Sequence, residues 1–327
     1  MNSPILVSII SPCYNGEQYV HRMLDSILNQ TYPKIEIIFI NDGSTDKTED
    51  ILVSYEKRFK EKKYTYIHLY QENAGQSAAI NRGLKIFTGE YLLFVDSDDI
   101  LDKKAIEKKV KYLDSHPNVG LVLNKIKALD FETLKELFIM ERKTRGDLFK
   151  DLISGHDVFY TPGGYFWRSS MFREAMPTPL QIQAPREIGQ NFQLLLPIAY
   201  KFPIGYLDDC LYYYLIRKDS HSHTKHTLTE YLHNWDVARG VINNIITDIE
   251  KDSTKVQELN RLVDIRYHRE RMNLFNRYGK KNERNKEKRK LIQLESNGSF
   301  IMRLILNAKY FYQGMKQNLI SFAKVLK

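Results

Sequence analysis

The sequence has little cysteine: among its 327 residues only Cys13 and Cys210 occur, far apart in the chain. That spacing offers neither a disulfide framework nor a cysteine-based metal site, and a reducing, cytoplasmic setting fits it. No stretch reaches about 18 uninterrupted apolar residues, so no membrane-spanning helix is predicted. The opening Met1–Pro4 runs straight into a strand-like segment. It shows no basic n-region and no long apolar h-region, so no secretory signal is expected. No internal repeat is visible.

What is present is an ordinary globular composition. The hydrophobic fraction is 43%, enough to bury a core. The length suits one large domain plus an extension, or two small domains. The formal charge is +9, a balance that nucleic acid, an anionic membrane surface or a polyanionic substrate could answer. The basic residues are concentrated late in the chain, with Lys280–Lys290 reading as a solvated helix face or linker. That stretch lacks interleaved aromatics and carries Glu283 and Glu287, which argues against nucleic acid as a partner.

The first third alternates between two periods. Ile5–Ile10, Ile35–Ile40, Tyr64–Tyr70 and Tyr91–Val95 are apolar or β-branched runs that read as buried strands. Glu17–Gln30, Asp46–Phe59 and Ala74–Phe87 read as helices between them. Asp46 and Glu49 are spaced like a capping box. A further helix, Lys103–Ser115, and a strand, Val119–Leu123, follow. Residues 125 to 215 are less regular, with a turn at Thr161–Gly164, a helix over Gln190–Tyr200 and an aromatic strand over Tyr206–Ile216. From Thr227 the pattern is helical.

Strand, helix, strand, helix with short connections predicts parallel βαβ units and an α/β fold. Ligands of such sheets bind at the carboxyl ends of the strands. Here those ends read Ser11-Pro-Cys-Tyr-Asn15, Asn41-Asp-Gly-Ser44, Gln71-Glu-Asn73 and Asp96-Ser-Asp98-Asp99. All four are polar or acidic. Taken alone, the acidic turn could be an ordinary cap for the next helix. In this company its two carboxylates can divide two tasks, one reaching a ribose hydroxyl and the other ligating a hard divalent cation. Such a cation neutralises a diphosphate and makes it a better leaving group. Gly43 and Gly75 permit a tight turn and a close backbone approach.

These blocks, with Asn81-Arg-Gly83 and Gly89-Glu-Tyr91, resemble the conserved blocks of glycosyltransferase family 2 in order and spacing over residues 4–125. The resemblance implies a GT-A (Rossmann-like) fold: a mostly parallel sheet flanked by helices, here with a C-terminal helical extension. It implies an inverting transferase using a nucleotide-diphosphate sugar, UDP-type favoured, and a Mn²⁺ or Mg²⁺ ion. Pro12, Tyr14, Asn15 and Asp42 would line the nucleotide pocket, Tyr14 by stacking. Asn73, Gly75 and Asn81 would complete it, Asp96 would face the ribose, and Asp98 would hold the metal. The later segment Arg217-Lys-Asp-Ser-His221-Ser-His223 resembles the family's loop over the diphosphate, and His221 is the favoured second metal ligand. The domain reading is a catalytic domain over 1–220, with a nucleotide-sugar half (1–125) and an acceptor half (126–220), then a basic, mostly helical extension over 221–327.

One departure stands out. An inverting transferase needs a base for the acceptor hydroxyl, and the family's acidic pair aligns with Gln190 and Asn191, whose amides cannot serve. Glu187, just upstream, is the candidate base, with Asp99 as an alternative. The same departure leaves open a non-catalytic nucleotide-sugar-binding or scaffolding homologue. The expected acceptor is a glycan or lipid-linked glycan in cell-surface polysaccharide or lipopolysaccharide assembly. Finally, Phe300, Leu304, Ala308, Phe311, Met315, Leu319 and Phe322 form an apolar stripe beside basic residues. This suits a helix on the inner face of the cell membrane, or one packed on the domain or in a homodimer.

Overall fold

The apolar runs fold into one sheet. The computed structural model describes residues 3–176, 180–183, 190–217, 226–299, 301–302, 304–307 and 309–310. Strands β1 (Val7–Cys13), β2 (Ile35–Asp42), β3 (Thr65–Gln71) and β4 (Tyr91–Phe94) lie in the order β3-β2-β1-β4. All their mutual pairings are parallel. Every residue of β1 and β2 is buried, which is why these strands are mostly apolar instead of alternating, and their buried polar side chains Ser8 and Glu36 pair with each other. Val7 pairs with Ile35 and Cys13 with Asn41, so the polar ends of the two strands emerge side by side. The partnership of β1 with β4 covers only Val7–Ile10. Pro12 therefore lies where the missing N–H costs no ladder bond on that side.

Helices α1 (Val20–Leu28), α2 (Thr48–Glu61) and α3 (Gln76–Leu84) make the crossovers. Helix α1 buries Val20, Met23, Leu24 and Ile27, the three-and-four spacing of a single apolar face. Each such side chain stabilises the fold by about 1.5–3 kcal/mol. The capping box expected at α2 does not form. Asp46 accepts from the Thr48 backbone N at 3.0 Å, but Glu49 reaches into the sheet, where it accepts from Asn41 Nδ2 at 2.6 Å and lies 3.2 Å from His68 Nε2. A long-range pairing has outcompeted the local one. Buried Glu36 accepts from Ser8 Oγ at 2.5 Å and from Thr88 N and Oγ1 at 3.0 and 2.9 Å. It thereby fixes the turn that launches β4.

The sheet continues through β5 (Ile100–Leu101), β6 (Leu121–Asp130), β8 (Tyr165–Arg168) and β9 (Ile204–Ile216), in the order β4-β8-β6-β9-β5, with β7 (Glu136–Met140) beside β6. Strand β8 is antiparallel to β4 and to β6, and β6 and β9 are parallel. The parallel frame thus holds over β1–β4, and the sheet becomes mixed beyond it. The strand expected at 119–123 runs on to Asp130, and β8 occupies a stretch that shows no regular pattern in the sequence. Helices α4 (Ala105–Ser115), α5 (Leu148–Ser154), α6 (Ser169–Ala175) and α7 (Asn191–Lys201) complete this part of the chain.

The chain divides into two compact units: Met1–Leu152 with His156–Lys225, and Ile153–Gly155 with His226–Lys327. The second contains α8 (Leu228–Ile249), α9 (Ser253–Arg277) and α10 (Lys281–Ser296). Helix α8 opens with a capping box between Thr227 and Glu230. The charged run Lys280–Lys290 falls largely in α10, whose inner side is tied to α9 by a buried His268–Glu287 contact of 2.5 Å. Leu306 and Tyr310 pack with Leu291 and Ile292. Leu304 is exposed with Ile301, Met302 and Ile305. The helical stripe therefore faces out at its first described position, while Leu306 and Tyr310 face in. Its other members lie outside the described residues.

Candidate functional site

The four strand ends are stitched into one surface by side-chain-to-backbone bonds. Asn15 adopts a left-handed backbone, φ 49°, a conformation Asn tolerates better than most residues. Its N–H donates to Ser44 Oγ at 2.9 Å, and its Oδ1 accepts from Thr45 N at 2.8 Å. Gly16 N donates to Thr48 Oγ1 at 2.7 Å. The β1 and β2 loops are therefore a single unit. Tyr14 stands at its rim, 45% exposed, and its carbonyl accepts from Tyr19 Oη.

Asp42 organises the third loop. It is buried, and its carboxylate accepts from Gln71 Nε2 at 2.6 Å and from the N–H groups of Ala74 and Gly75 at 2.9 Å each. Gly43 is needed for this closeness. Its φ is +74°, and a Cβ there would lie 2.6 Å from the backbone N of Asn73. Gly75, with φ 91°, starts α3. Asp42 thus shapes the backbone at Ala74–Gly75. Asn81 has a different task in this structure. Its Nδ2 donates to Ile182 O at 2.8 Å, and its Oδ1 accepts from Ile182 N at 2.7 Å. The amide clamps a distant piece of backbone, the Ile182 peptide.

The acidic turn follows β4. Asp96 is half-buried, and its Oδ1 accepts from Gln76 Nε2 at 3.1 Å. Burial, and then the neighbouring charge of Asp98, push the Asp96 carboxyl up to about 7, against the hydrogen bond from Gln76. Asp98 Oδ2 accepts from Arg217 Nη2 at 2.9 Å. Asp99 has no exposed surface. Its Oδ2 accepts from Tyr212 Oη at 2.7 Å and its Oδ1 from Leu215 N at 2.9 Å. Burial, then the charges of Asp98 and Asp96, hold its carboxyl well above the carboxylate range. In this structure Asp99, the alternative acceptor base, lies in the core and anchors β9. Tyr212 Oη also accepts from Asp96 N at 3.3 Å, so one buried hydroxyl braces both ends of the turn.

Sequence reasoning missed Gln76, Tyr212 and Arg217 as members of this site. Gln76 directly follows Gly75, and Arg217 opens the late basic loop, so both stood beside recognised motifs. Tyr212 gave no local signal. Glu187 and His221 lie outside the described residues. Gln190 is buried, and among the described residues Gln190 Oε1 and Asn191 Oδ1 have no hydrogen-bond partner.

The donor set suits a hard cation only in part. Among the described residues no group of three His, Cys, Asp or Glu side chains could hold a metal. One carboxylate, Asp98, with waters and substrate phosphates is nonetheless the ligand set that Mg²⁺-like ions accept.

Residues 8–175 match the model of Glycosyl transferase family 2. Over 217 residues the chain is 32% identical to the poly(ribitol-phosphate) beta-glucosyltransferase of Bacillus spizizenii, a match taking in 65% of this chain and 32% of that protein. In general the matched part of the chain spans about a third of the length of its curated relatives. In fold it is similar to S. aureus TarS 1-349 in complex with UDP-GlcNAc, with TM-score 0.65, 20% identity, and coverage of 88% of this chain and 81% of that one. It is also similar to a mannosyltransferase from Pyrobaculum calidifontis in complex with GDP-Man and Mn²⁺, with TM-score 0.53, 14% identity, and coverage of 95% and 81%. The chain belongs to glycosyl transferase family 2 and carries the GT-A fold. Its class is glycosyltransferase.

Proposed function

We propose that the protein transfers a sugar, with inversion, from a nucleotide-diphosphate donor of UDP type to a glycan or lipid-linked acceptor in cell-surface polysaccharide assembly. The observation that carries this reading is the Asp96–Asp99 turn, braced by Tyr212 and joined through Gln76 to the segment that Asp42 holds. Exposed Tyr14 offers a face on which a base stacks. Pro12 and Asn15 shape the floor, and the Asn73–Gly75 backbone approaches the nucleotide. Asp96 takes a ribose hydroxyl. Asp98, with His221, holds a divalent cation, which when bound neutralises charge on the leaving diphosphate. Glu187 takes the acceptor proton. The UDP-sugar complex of one fold relative and the Mn²⁺ complex of another support the donor and the cation. The name of the Bacillus relative, a poly(ribitol-phosphate) beta-glucosyltransferase, supports a polymer as acceptor.

The amides at Gln190 and Asn191 favour one competing reading, a nucleotide-sugar-binding homologue without transfer. The catalytic part is assigned to 1–220, and the extension to docking at the inner membrane face. No described helix is long and apolar enough to cross a membrane. Exposed Ile301, Met302, Leu304 and Ile305 suit an interfacial helix, with a homodimer contact as the other outcome. A donor screen reading released nucleoside diphosphate with Mn²⁺ or Mg²⁺ tests the main reading. Donor binding with neither hydrolysis nor transfer under any condition would replace it with the binding homologue. A Glu187→Ala variant with full transfer would remove Glu187 from the mechanism.

A further inference from the structure

We propose that Arg217 is the resident counter-ion of Asp98, and that a divalent cation gains this carboxylate only by exchange with the guanidinium. The idea rests on reading Asp98 as the carboxylate that holds the cation.

Arg217 stands at the end of β9. Its Nη2 lies 2.9 Å from Asp98 Oδ2, and its guanidinium lies 4.2 Å from the centre of the Tyr19 ring and 5.8 Å from that of Phe131. Both rings are held in turn. Tyr19 Oη donates to Tyr14 O, Arg22 Nη1 donates to Phe131 O at 2.6 Å, and the Arg22 guanidinium lies 4.3 Å from the Phe131 ring. The guanidinium is thus set in an aromatic seat and aimed at one carboxylate. Its Nε is buried and makes no hydrogen bond among the described residues, so within them the seat holds Arg217 by ring faces and by Asp98. Asp98 and Arg217 side chains are each about three-quarters covered, where charge is screened less than at the surface.

An arginine keeps its charge at every physiological pH. Two cationic centres cannot share one carboxylate at contact distance without repulsion. Cation and guanidinium therefore compete for Asp98. Before the donor arrives, Arg217 offsets the charge of Asp98 and keeps the affinity for a free cation low. The diphosphate supplies the additional oxygen ligands that favour the exchange. Cation and donor then bind as a pair, and metal alone loads the turn only weakly.

Mn²⁺ binding to the full chain without nucleotide, read from the EPR signal of free Mn²⁺, tests this. Arg217→Gln removes the competitor and should bind Mn²⁺ about fivefold more tightly than wild type, the scale of a partly screened ion pair. Arg217→Lys keeps the charge and should stay within about twofold. Asp98→Asn should lose the site. Equal or weaker Mn²⁺ binding by folded Arg217→Gln overturns the exchange and makes Arg217 a support for Asp98. A measurement on the wild-type chain covers the case in which the variant does not fold: the Arg217 Nε–H NMR signal should shift as Mg²⁺ saturates the site. Saturation with no shift overturns the proposal. If wild type and Arg217→Gln both fail to bind Mn²⁺, the cation reading of Asp98 falls and takes the exchange with it.

Discussion

Lys109 lies on α4 with no exposed surface, and its Nζ donates to Gly163 O at 2.9 Å. Burial lowers its pKa from 10.5 to about 7. A lysine depressed in the folded state destabilises that state wherever the unfolded chain holds the proton more tightly. The penalty is fully present below about pH 7 and vanishes above about pH 10.5. Its full size is about 5 kcal/mol, at 1.36 kcal/mol per pKa unit. Lys109→Met removes the penalty but leaves the Gly163 carbonyl without its donor, at about 1–3 kcal/mol. The variant should therefore be more stable at pH 7 by about 2 kcal/mol. That advantage should shrink by about 2 kcal/mol between pH 7 and 9, as the wild-type penalty fades. Guanidinium denaturation of both chains at the two pH values reads the difference, so groups common to both cancel. A stability difference that does not change with pH would refute the reasoning, because Lys109 would then titrate as a solvated lysine.

Three further outcomes follow from the site. Tyr14→Ala should leave the melting temperature unchanged, since the ring is exposed, and raise the donor KM about tenfold or more, the scale of a lost base stack. Gly43→Ala must adopt φ +74° and drive a Cβ against Asn73; it should cost about 1–2 kcal/mol of stability and weaken UDP binding in the same calorimetric series. Tyr212→Phe leaves Asp99 Oδ2 without its donor in the core, at about 1–3 kcal/mol, and should lower donor turnover. Tyr213→Phe, which loses a part-buried bond to Asp102, serves as the control and should cost less than about 1 kcal/mol with turnover intact.

The parallel half of the fold was legible because its signals are local. Buried parallel strands are continuous apolar runs, and their polar ends announce the ligand edge within a few residues. Residues whose roles depend on remote partners were read less well. Glu49 looked like a cap until Asn41 and His68 drew it into the sheet. Asn81 looked like part of a base pocket, but its amide meets Ile182, about a hundred residues later. Asp99 looked like a spare carboxylate, yet its partners Tyr212 and Leu215 arrive on β9 more than a hundred residues downstream. Strand β8 escaped because four residues, Tyr165–Arg168, hold too few positions to show a period, and both of its neighbours are antiparallel.

Those remote partners share one element. Tyr212 braces Asp96 and Asp99, Leu215 holds Asp99 through its backbone, and Arg217 takes Asp98. All three donors stand in the last turn-length of β9 or just beyond it. The donor carboxylates are therefore set by the half of the sheet that the sequence assigns to the acceptor. Gly163 adds to this, since any side chain there would strike the Tyr212 ring, and its carbonyl is the partner of Lys109. A displacement of the end of β9 would be transmitted to each member of the acidic turn through bonds of 2.7 to 3.3 Å. Buried hydrogen bonds resist such displacement because an unmade one costs about 1–3 kcal/mol. The acidic turn and the end of β9 are thus mechanically coupled, and a substitution that shifts β9 should change donor affinity.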